Sequence, residues 1–392
     1  MARSLEVAAA FGGAALVAIL AAAPTEAHKG ITSKYNYNEH VFPILRDRCG
    51  SCHFAGGPAP MSLVNYLEAA PWAESIREQL VAQKMPPWSA DPLGPSVRGG
   101  QQISPSELDV LLSWAAGGTP RADEKTFVFG SIQGVTSPTF DGPPAEWTAG
   151  APDRQVAMDA PHTVPAGTIE EEQTFVLSTG LTQPTWLKGV DLLPGTRSMV
   201  RDAVISTDDG QVLAVWAPGY AVVPAPSGAA FLLTPEAKLN VRIHYKKNWQ
   251  DEQTDKSDRS TVGLYVTEPP LSGKPIASVA VEATTADDPQ AVRTFTNTLE
   301  VPARVVALRS SVDRPYQSVA IEAHLAGDRR VPLLKLRSAQ PQWSRRYWLR
   351  EPIELPAGAT IEVKAVPAPP DEFPMPLTKE YPLRVDVDYV AP

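Results

Sequence analysis

The run Cys49-Gly50-Ser51-Cys52-His53 holds the residues best suited to chemistry in this chain. It reads C-x-x-C-H, the attachment signature of c-type haem. Two thiols three positions apart on a helical turn can reach the two vinyl groups of one haem edge. The histidine that follows then sits under the iron as proximal ligand. Cys49 and Cys52 are also the chain's 2 cysteines. Three other readings stand beside this one. A thioredoxin-like redox site needs a βαβ context, which the flanks do not supply. A structural zinc site needs further Cys or His ligands close by, and the nearest histidines, His28 and His40, lie upstream in a segment that reads as exported tail and helix. A plain Cys49–Cys52 disulfide fits an oxidising compartment.

The elements around the motif must position it. Residues 35–48 read as an amphipathic helix running into Cys49, with Val41, Phe42, Ile44 and Leu45 on its apolar face and Pro43 kinking it or starting its last turns. Residues 54–60 form a Gly/Pro-rich loop. Residues 62–84 are helical in pattern, with Leu63, Leu67, Ala70, Ile76, Leu80 and Val81 at three- and four-residue spacing and a break expected at Pro71. Ser104-Pro105-Ser106-Glu107 then opens a helix with a serine cap, a first-turn proline and an early glutamate, ending at Gly117-Gly118. This order is the layout of a small class I cytochrome c domain.

A distal iron ligand must come from the same domain. Met85 lies in the rigid loop Met85-Pro86-Pro87-Trp88, which could hold a thioether on the far face of the haem. Met61 competes, but it follows the motif so closely that it reads as a packing residue beneath the ring. Met85 is the expected distal ligand, and Trp88 with the 60s loop would shield the haem edge. His/Met ligation raises the reduction potential and leaves no open coordination position, which favours electron transfer over oxygen chemistry.

The whole chain bounds these readings. A length of 392 residues suggests two or three domains, and the net charge of −9 argues against nucleic acid or an anionic membrane as partner. Proline is the outlier, at 40 residues, roughly twice the usual share of about 5%. Such a chain favours many short strands and turns. At the N-terminus Arg3 precedes an apolar run over 7–23, with a small-residue cleavage site at Thr25-Glu26-Ala27. This reads as an export signal, with cleavage preferred over an uncleaved membrane tether. The expected location is therefore periplasmic or secreted, where c-type haem is attached.

The wording of the first domain is specific. Val41-Phe42-Pro43-Ile44-Leu45, Ala59-Pro60-Met61-Ser62-Leu63, Pro71-Trp72-Ala73-Glu74-Ser75-Ile76-Arg77 and Met85-Pro86-Pro87-Trp88 resemble a family of bacterial secreted proteins. In that family a cytochrome c domain precedes a module like the C-terminal half of copper type II, ascorbate-dependent monooxygenases. Residues 121–147 read as a Gly/Pro-containing linker. Beyond residue 150 short alternating runs recur, at 174–178, 203–206, 212–216, 239–245 and 262–266, then at 276–281, 305–308, 319–323, 331–336, 360–365 and 383–390. They read as a pair of antiparallel β-sandwiches, and the resemblance implies two jelly-roll-like domains, each holding one copper across a shared cleft.

The residues needed for copper are mostly replaced. Where the resemblance implies two adjacent histidines after a Pro-Gly turn, Pro194-Gly195 is followed by Arg201 and Asp202. Ile243-His244-Tyr245 keeps the third ligand, so His244 stands as a vestigial copper ligand. In the second domain the implied His-x-His pair falls on Ser311 and Asp313, and Met375 has no firm alignment with the family's methionine. Redox copper needs imidazole or soft donors, and a guanidinium repels a cation. His162 and His324 read as ordinary surface histidines. The acidic run 251–258 reads as a solvated loop, with calcium the minor alternative because it lacks EF-hand spacing.

The expected fold is multidomain, α then all-β: a signal peptide (1–27), a cytochrome c domain (28–124), a linker (125–148) and two monooxygenase-like β-sandwiches (149–270 and 271–392). One covalent haem c is expected, on Cys49, Cys52, His53 and Met85, and copper is not. The function expected is electron transfer to or from a periplasmic redox protein, a catalytic paralogue or a membrane redox complex. The sandwiches would serve docking or assembly. Two alternatives stay open: a haem-fed copper monooxygenase hydroxylating a small organic substrate, and a non-redox binding module with Cys49–Cys52 as a disulfide.

Overall fold

The computed structural model describes residues 32–392 apart from 88, 101, 124–135, 284–287, 289 and 371–379. The export signal, His28, Trp88 and Met375 therefore lie outside the described residues. Among the described residues no helix is long and apolar enough to cross a membrane.

The chain begins with a small helical unit. Asn36 accepts from Glu39 N and caps a π turn, Tyr37–Val41, which runs into α1 (Phe42–Arg48). Pro43 sits in the first turn of α1, where its missing N–H has no intrahelical partner to lose. The second helical stretch starts later than its periodicity suggests. Asn65 caps α2 (Tyr66–Ala69) by accepting from Leu67 N, so residues 62–65 stay extended or bent. Pro71 lies in a 3₁₀ turn, Ala70–Trp72, which separates α2 from α3 (Ala73–Val81). The last helix, α4 (Pro105–Ala116), has a reciprocal capping box: Ser104 Oγ accepts from Glu107 N at 3.2 Å and Glu107 Oε2 from Ser104 N at 2.7 Å. Tyr37, Val41, Leu45, Leu111 and Trp114 are fully buried in the core these helices share. Two polar tips find carbonyls there, Tyr37 Oη on Leu63 O and Trp114 Nε1 on Pro120 O.

Between α3 and α4 the chain leaves the helical unit and runs along the second sandwich. Arg337 N donates to Ser89 O, Asp91 N to Lys335 O, Arg98 N to Trp348 O and Arg350 N to Ser96 O. Ala90 and Val97 form antiparallel bridges with Leu336 and Leu349. This backbone pairing ties the first and last parts of the chain together. The described end of the stretch read as a linker is tied down as well: Phe140 packs on the helical core, and Thr148 donates to buried Asp191.

The remainder is β-structure. The first sandwich contains β1 (Arg154–Ala157), β2 (His162–Val164), β3 (Glu170–Ser178), β4 (Thr185–Leu193), β5 (Val200–Thr207), β6 (Val212–Trp216), β7 (Phe231–Leu233), β8 (Lys238–Lys246), β9 (Lys256–Asp258) and β10 (Thr261–Thr267). Its sheets run β1-β10-β4-β7 and β3-β8-β5-β6, with β2-β9 as a separate pair. The second sandwich contains β11 (Ile276–Glu282), β12 (Arg293–Thr298), β13 (Ala303–Ser311), β14 (Tyr316–Leu325), β15 (Arg329–Ala339), β16 (Arg345–Leu355), β17 (Thr360–Pro367) and β18 (Arg384–Val390), in sheets β11-β18-β13-β16 and β12-β17-β14-β15. The pairings are antiparallel, and alternation places one face of each sheet on a core. The jelly-roll-like sandwich character is thus present.

The sheet β11-β18-β13-β16 is covered on both faces. On β13, Val305 and Leu308 enter the second core, whereas Val306 and Ala307 enter the first across a bulge. On β18, Val385 and Val387 face the second core, while Asp386 and Asp388 turn to the other side. There Arg346 Nε contacts Asp388 at 2.7 Å, and its other nitrogens donate to Leu213 O and Val212 O of the first sandwich. A buried ion pair is therefore built into the joint between the sandwiches.

Candidate functional site

The C-x-x-C-H loop rolls directly off α1. Cys49 N and Gly50 N both donate to Leu45 O, at 2.9 and 2.8 Å, and His53 N donates to Cys49 O at 2.9 Å. Gly50 is required by space, because a Cβ there would lie 2.5 Å from Arg46 O. Leu63 N closes the following loop onto His53 O at 3.0 Å.

His53 is held by its ring as well as its backbone. Nδ1 lies 3.1 Å from Met61 O. A carbonyl can only accept, so Nδ1 carries the hydrogen and Nε2 keeps its lone pair. Burial, partly opposed by the Met61 carbonyl, lowers the imidazole's proton affinity and keeps the ring neutral near pH 7. A neutral imidazole with one nitrogen tethered and the other free is an oriented metal ligand.

Cys49 and Cys52 are not joined to each other. Burial pushes the Cys49 thiol up to about 12, with the Cys52 thiol adding to the rise. Burial also raises Cys52, opposed by the Ser51 hydroxyl and by Arg201. Both sulfurs are therefore protonated near neutral pH and poorly reactive as free nucleophiles.

The two methionines differ in placement. Met61 offers its backbone carbonyl to His53 and packs, partly buried, against the helical core. Met85 N lies 3.4 Å from Gln79 O, just past the end of α3, and the side chain is half-buried.

The first sandwich reaches this loop through Pro218, Gly219, Asn248 and Arg197. Cys52 Sγ lies 3.4 Å from Pro218 O. Gly219, at φ +77°, sits so close that a Cβ would collide with Ser51 Oγ. Asn248 Nδ2 donates to Gly57 O at 3.2 Å, and Asn248 Oδ1 accepts from Arg201 Nη2 at 2.9 Å. The Arg197 guanidinium lies 4.9 Å over the Phe54 ring. Tyr220 follows Gly219 and is buried with Arg345 3.4 Å over its ring, while its hydroxyl has no hydrogen-bond partner. Burial raises the Tyr220 hydroxyl, opposed by Arg345.

His244 has both nitrogens engaged. Nδ1 lies 2.7 Å from Asp202 Oδ2 and Nε2 lies 2.7 Å from Glu170 Oε1, with Lys246 Nζ on the other Glu170 oxygen at 2.9 Å. The register explains this: His244 on β8 is paired with Asp202 on one side and Glu172 on the other, which puts Glu170 at the diagonal position. Of the second-site positions, Ser311 ends β13, and Asp313 accepts from Tyr316 Oη at 2.9 Å. Among the described residues no three His, Cys, Asp or Glu side chains converge on a metal-holding geometry.

His162, His324 and the end of the acidic run are more enclosed than surface positions. His162 is half-buried, stacked on Tyr245 at 5.3 Å and set 2.5 Å from Glu171. His324 is likewise half-buried, 3.6 Å from Glu362. The run 251–258 is only partly a solvated loop. Its last residue, Asp258, is buried and accepts from Thr196 N, Tyr245 Oη and Ser260 Oγ.

The sequence did not single out the Met61 carbonyl, Glu170, Tyr220 or Asn248. Backbone acceptors carry no side-chain signal, and the other three act only through cross-strand or inter-unit contacts. The acidic run Glu170-Glu171-Glu172 was the one available cue, since such a run is unusual on a half-buried strand.

No family model matches the chain, and no curated protein does. Solved structures resemble parts of it weakly. The major capsid protein P2 of bacteriophage PM2 is 10% identical, with 61% of this chain and 97% of that one covered at a TM-score of 0.29. Allantoicase from Saccharomyces cerevisiae is 10% identical, with 56% and 77% covered at 0.21. A fucolectin from striped bass serum is 8% identical, with 59% and 85% covered at 0.17.

Proposed function

We propose that this chain is an exported monohaem c-type cytochrome that carries electrons, with its paired sandwiches serving as a docking or assembly module. One observation carries the reading: His53 is fixed through Nδ1 with Nε2 free, and two unpaired thiols precede it on the same turn. The order of elements read from the sequence, which resembles the layout of a class I cytochrome c domain, adds to it. Haem, when bound, supplies a one-electron iron couple.

The chain's own residues have distinct tasks. Cys49 and Cys52 are the thiols that would hold the haem covalently, each as a thioether. His53 Nε2, with its lone pair free, would hold the iron, while Met61 O fixes the ring by accepting from Nδ1. Met85, in its proline-flanked loop after α3, would supply the thioether donor, with Met61 as the competitor. With His53 and Met85 both engaged no open coordination position would remain, which favours electron exchange over oxygen chemistry. The partner is a periplasmic redox protein, a catalytic paralogue or a membrane redox complex, and the charge of −9 disfavours nucleic acid.

The distal assignment is tested by visible and near-infrared spectra of periplasm-matured protein. Met85→Ala is expected to lose the methionine–iron charge-transfer band, and Met61→Ala to retain it. The reverse pattern would exchange the two roles.

Copper is the second test. His244 has both nitrogens on carboxylates, and Arg201, Asp202, Ser311 and Asp313 are poor donors for redox copper. Copper loading followed by dialysis is expected to leave far less than one copper per chain by elemental analysis. Stoichiometric, tightly held copper would instead favour the haem-fed monooxygenase.

A further inference from the structure

We propose that Arg201 is the residue through which the first sandwich sets the reduction potential of haem attached at Cys49 and Cys52. This rests on the haem reading and extends it. It gives the sandwich a task beyond docking.

The geometry is a clamp with a cation inside it. Arg201 Nη1 donates to Ser198 O and Nη2 to Asn248 Oδ1, both at 2.9 Å, which fixes the guanidinium plane. Asn248 passes the connection on to Gly57 O, in the loop that follows His53. On the other side of the loop, Pro218 O touches Cys52 Sγ, and Gly219 fits against Ser51 only because it lacks a Cβ. The attachment loop and the guanidinium are thus held by one rigid sandwich edge.

The charge on this clamp is not cancelled by a direct partner. Among the described residues Arg201 makes no ion pair within salt-bridge distance, and the nearby carboxylates are committed elsewhere. Glu170 is shared between His244 and Lys246, and Asp202 bonds His244. Arg201 lies within electrostatic reach of Cys52 and Glu170, and Arg345 stands over Tyr220 on the same side. Burial lowers the Arg201 guanidinium to about 10, which leaves it cationic throughout the neutral range.

A fixed cation beside a one-electron couple favours the reduced form, because oxidation adds a positive charge to the iron centre. Partial burial weakens screening by water and salt. Taking the cation away should therefore make the ferrous state harder to reach.

The test is an equilibrium redox titration, followed by visible absorbance, of the full-length haem-bearing chain. Arg201→Met is expected to reduce the ferrous-to-ferric ratio at a fixed ambient potential by about tenfold, which is about 59 mV for a one-electron couple. Arg201→Lys keeps the charge but loses the planar fork, so its ratio should stay within about twofold of wild type. An unchanged ratio in Arg201→Met overturns the proposal. Equal shifts in the Met and Lys variants also overturn it, since loosening of the clamp would then be the cause. A chain that matures without covalent haem refutes the haem reading and this inference together. A haem-bearing chain whose potential ignores Arg201 refutes this inference alone.

Discussion

Replacing Arg346 with leucine is expected to lower the unfolding free energy by about 3–5 kcal/mol, because it strands a buried carboxylate. Asp388 is fully buried, and its oxygens are shared by Arg346 at 2.7 Å, Arg309 at 3.6 Å and Ser278 Oγ at 2.5 Å. Arg346 also donates to two carbonyls of the first sandwich, at Val212 and Leu213, so the substitution strands acceptors on both sides of the joint. Those carbonyls add a penalty of their own, since buried groups that lose a hydrogen bond regain no water. The double variant Arg346→Leu/Asp388→Leu removes the stranded carboxylate, and it should recover only that part of the loss, because Val212 O and Leu213 O stay without their donor. Urea unfolding followed by tryptophan fluorescence measures both effects. A single variant within about 0.5 kcal/mol of wild type, the range of an ordinary surface change, would show that the joint does not depend on this pair.

The second large effect falls on His53. His53→Ala leaves both thiols in place, so haem should remain covalently attached. The variant removes the nitrogen donor and its tether to Met61 O. The low-spin visible spectrum of the reduced protein is expected to disappear, with a high-spin spectrum taking its place. The reduction potential should move with it, because axial ligand identity is among the strongest controls on haem potential. A low-spin spectrum unchanged from wild type would mean that another residue ligates the iron.

The β-architecture was legible in the sequence wherever strands alternate cleanly. β8 (Lys238–Lys246) and β17 (Thr360–Pro367) alternate buried positions with more exposed ones, and period-two hydrophobicity marks them directly. β12 (Arg293–Thr298) escaped notice because it is an edge strand with mostly exposed polar residues. β16 (Arg345–Leu355) escaped because arginines stand at buried positions, where pattern reading expects apolar residues. Their partners, Asp388 among them, lie far away in sequence. The helix start at Tyr66 was missed for a local reason, since the Asn65 side chain bonds Leu67 N and ends the extended approach two residues after Leu63.

The candidate site was legible in its covalent part only. Cys49, Cys52 and His53 are neighbours in sequence, so a motif can show them. Arg201 and His244 were singled out as replaced and retained copper positions. The closeness of Arg201 to the Cys52 loop follows from the docking of Gly219, Asn248 and Arg197, which pair residues distant in sequence. The bond from Met61 O to His53 was hidden for a different reason, because a backbone carbonyl looks the same at every position.

The most direct measurement of the central claim is mass spectrometry of peptides from the full chain expressed in a periplasm with haem-attachment machinery. One haem per chain is expected, carried covalently on the peptide spanning Cys49 to His53 through both sulfurs. The same peptide recovered without haem, with Cys49 and Cys52 free or joined as a disulfide, would contradict the cytochrome reading and leave the sandwiches to explain what the protein does.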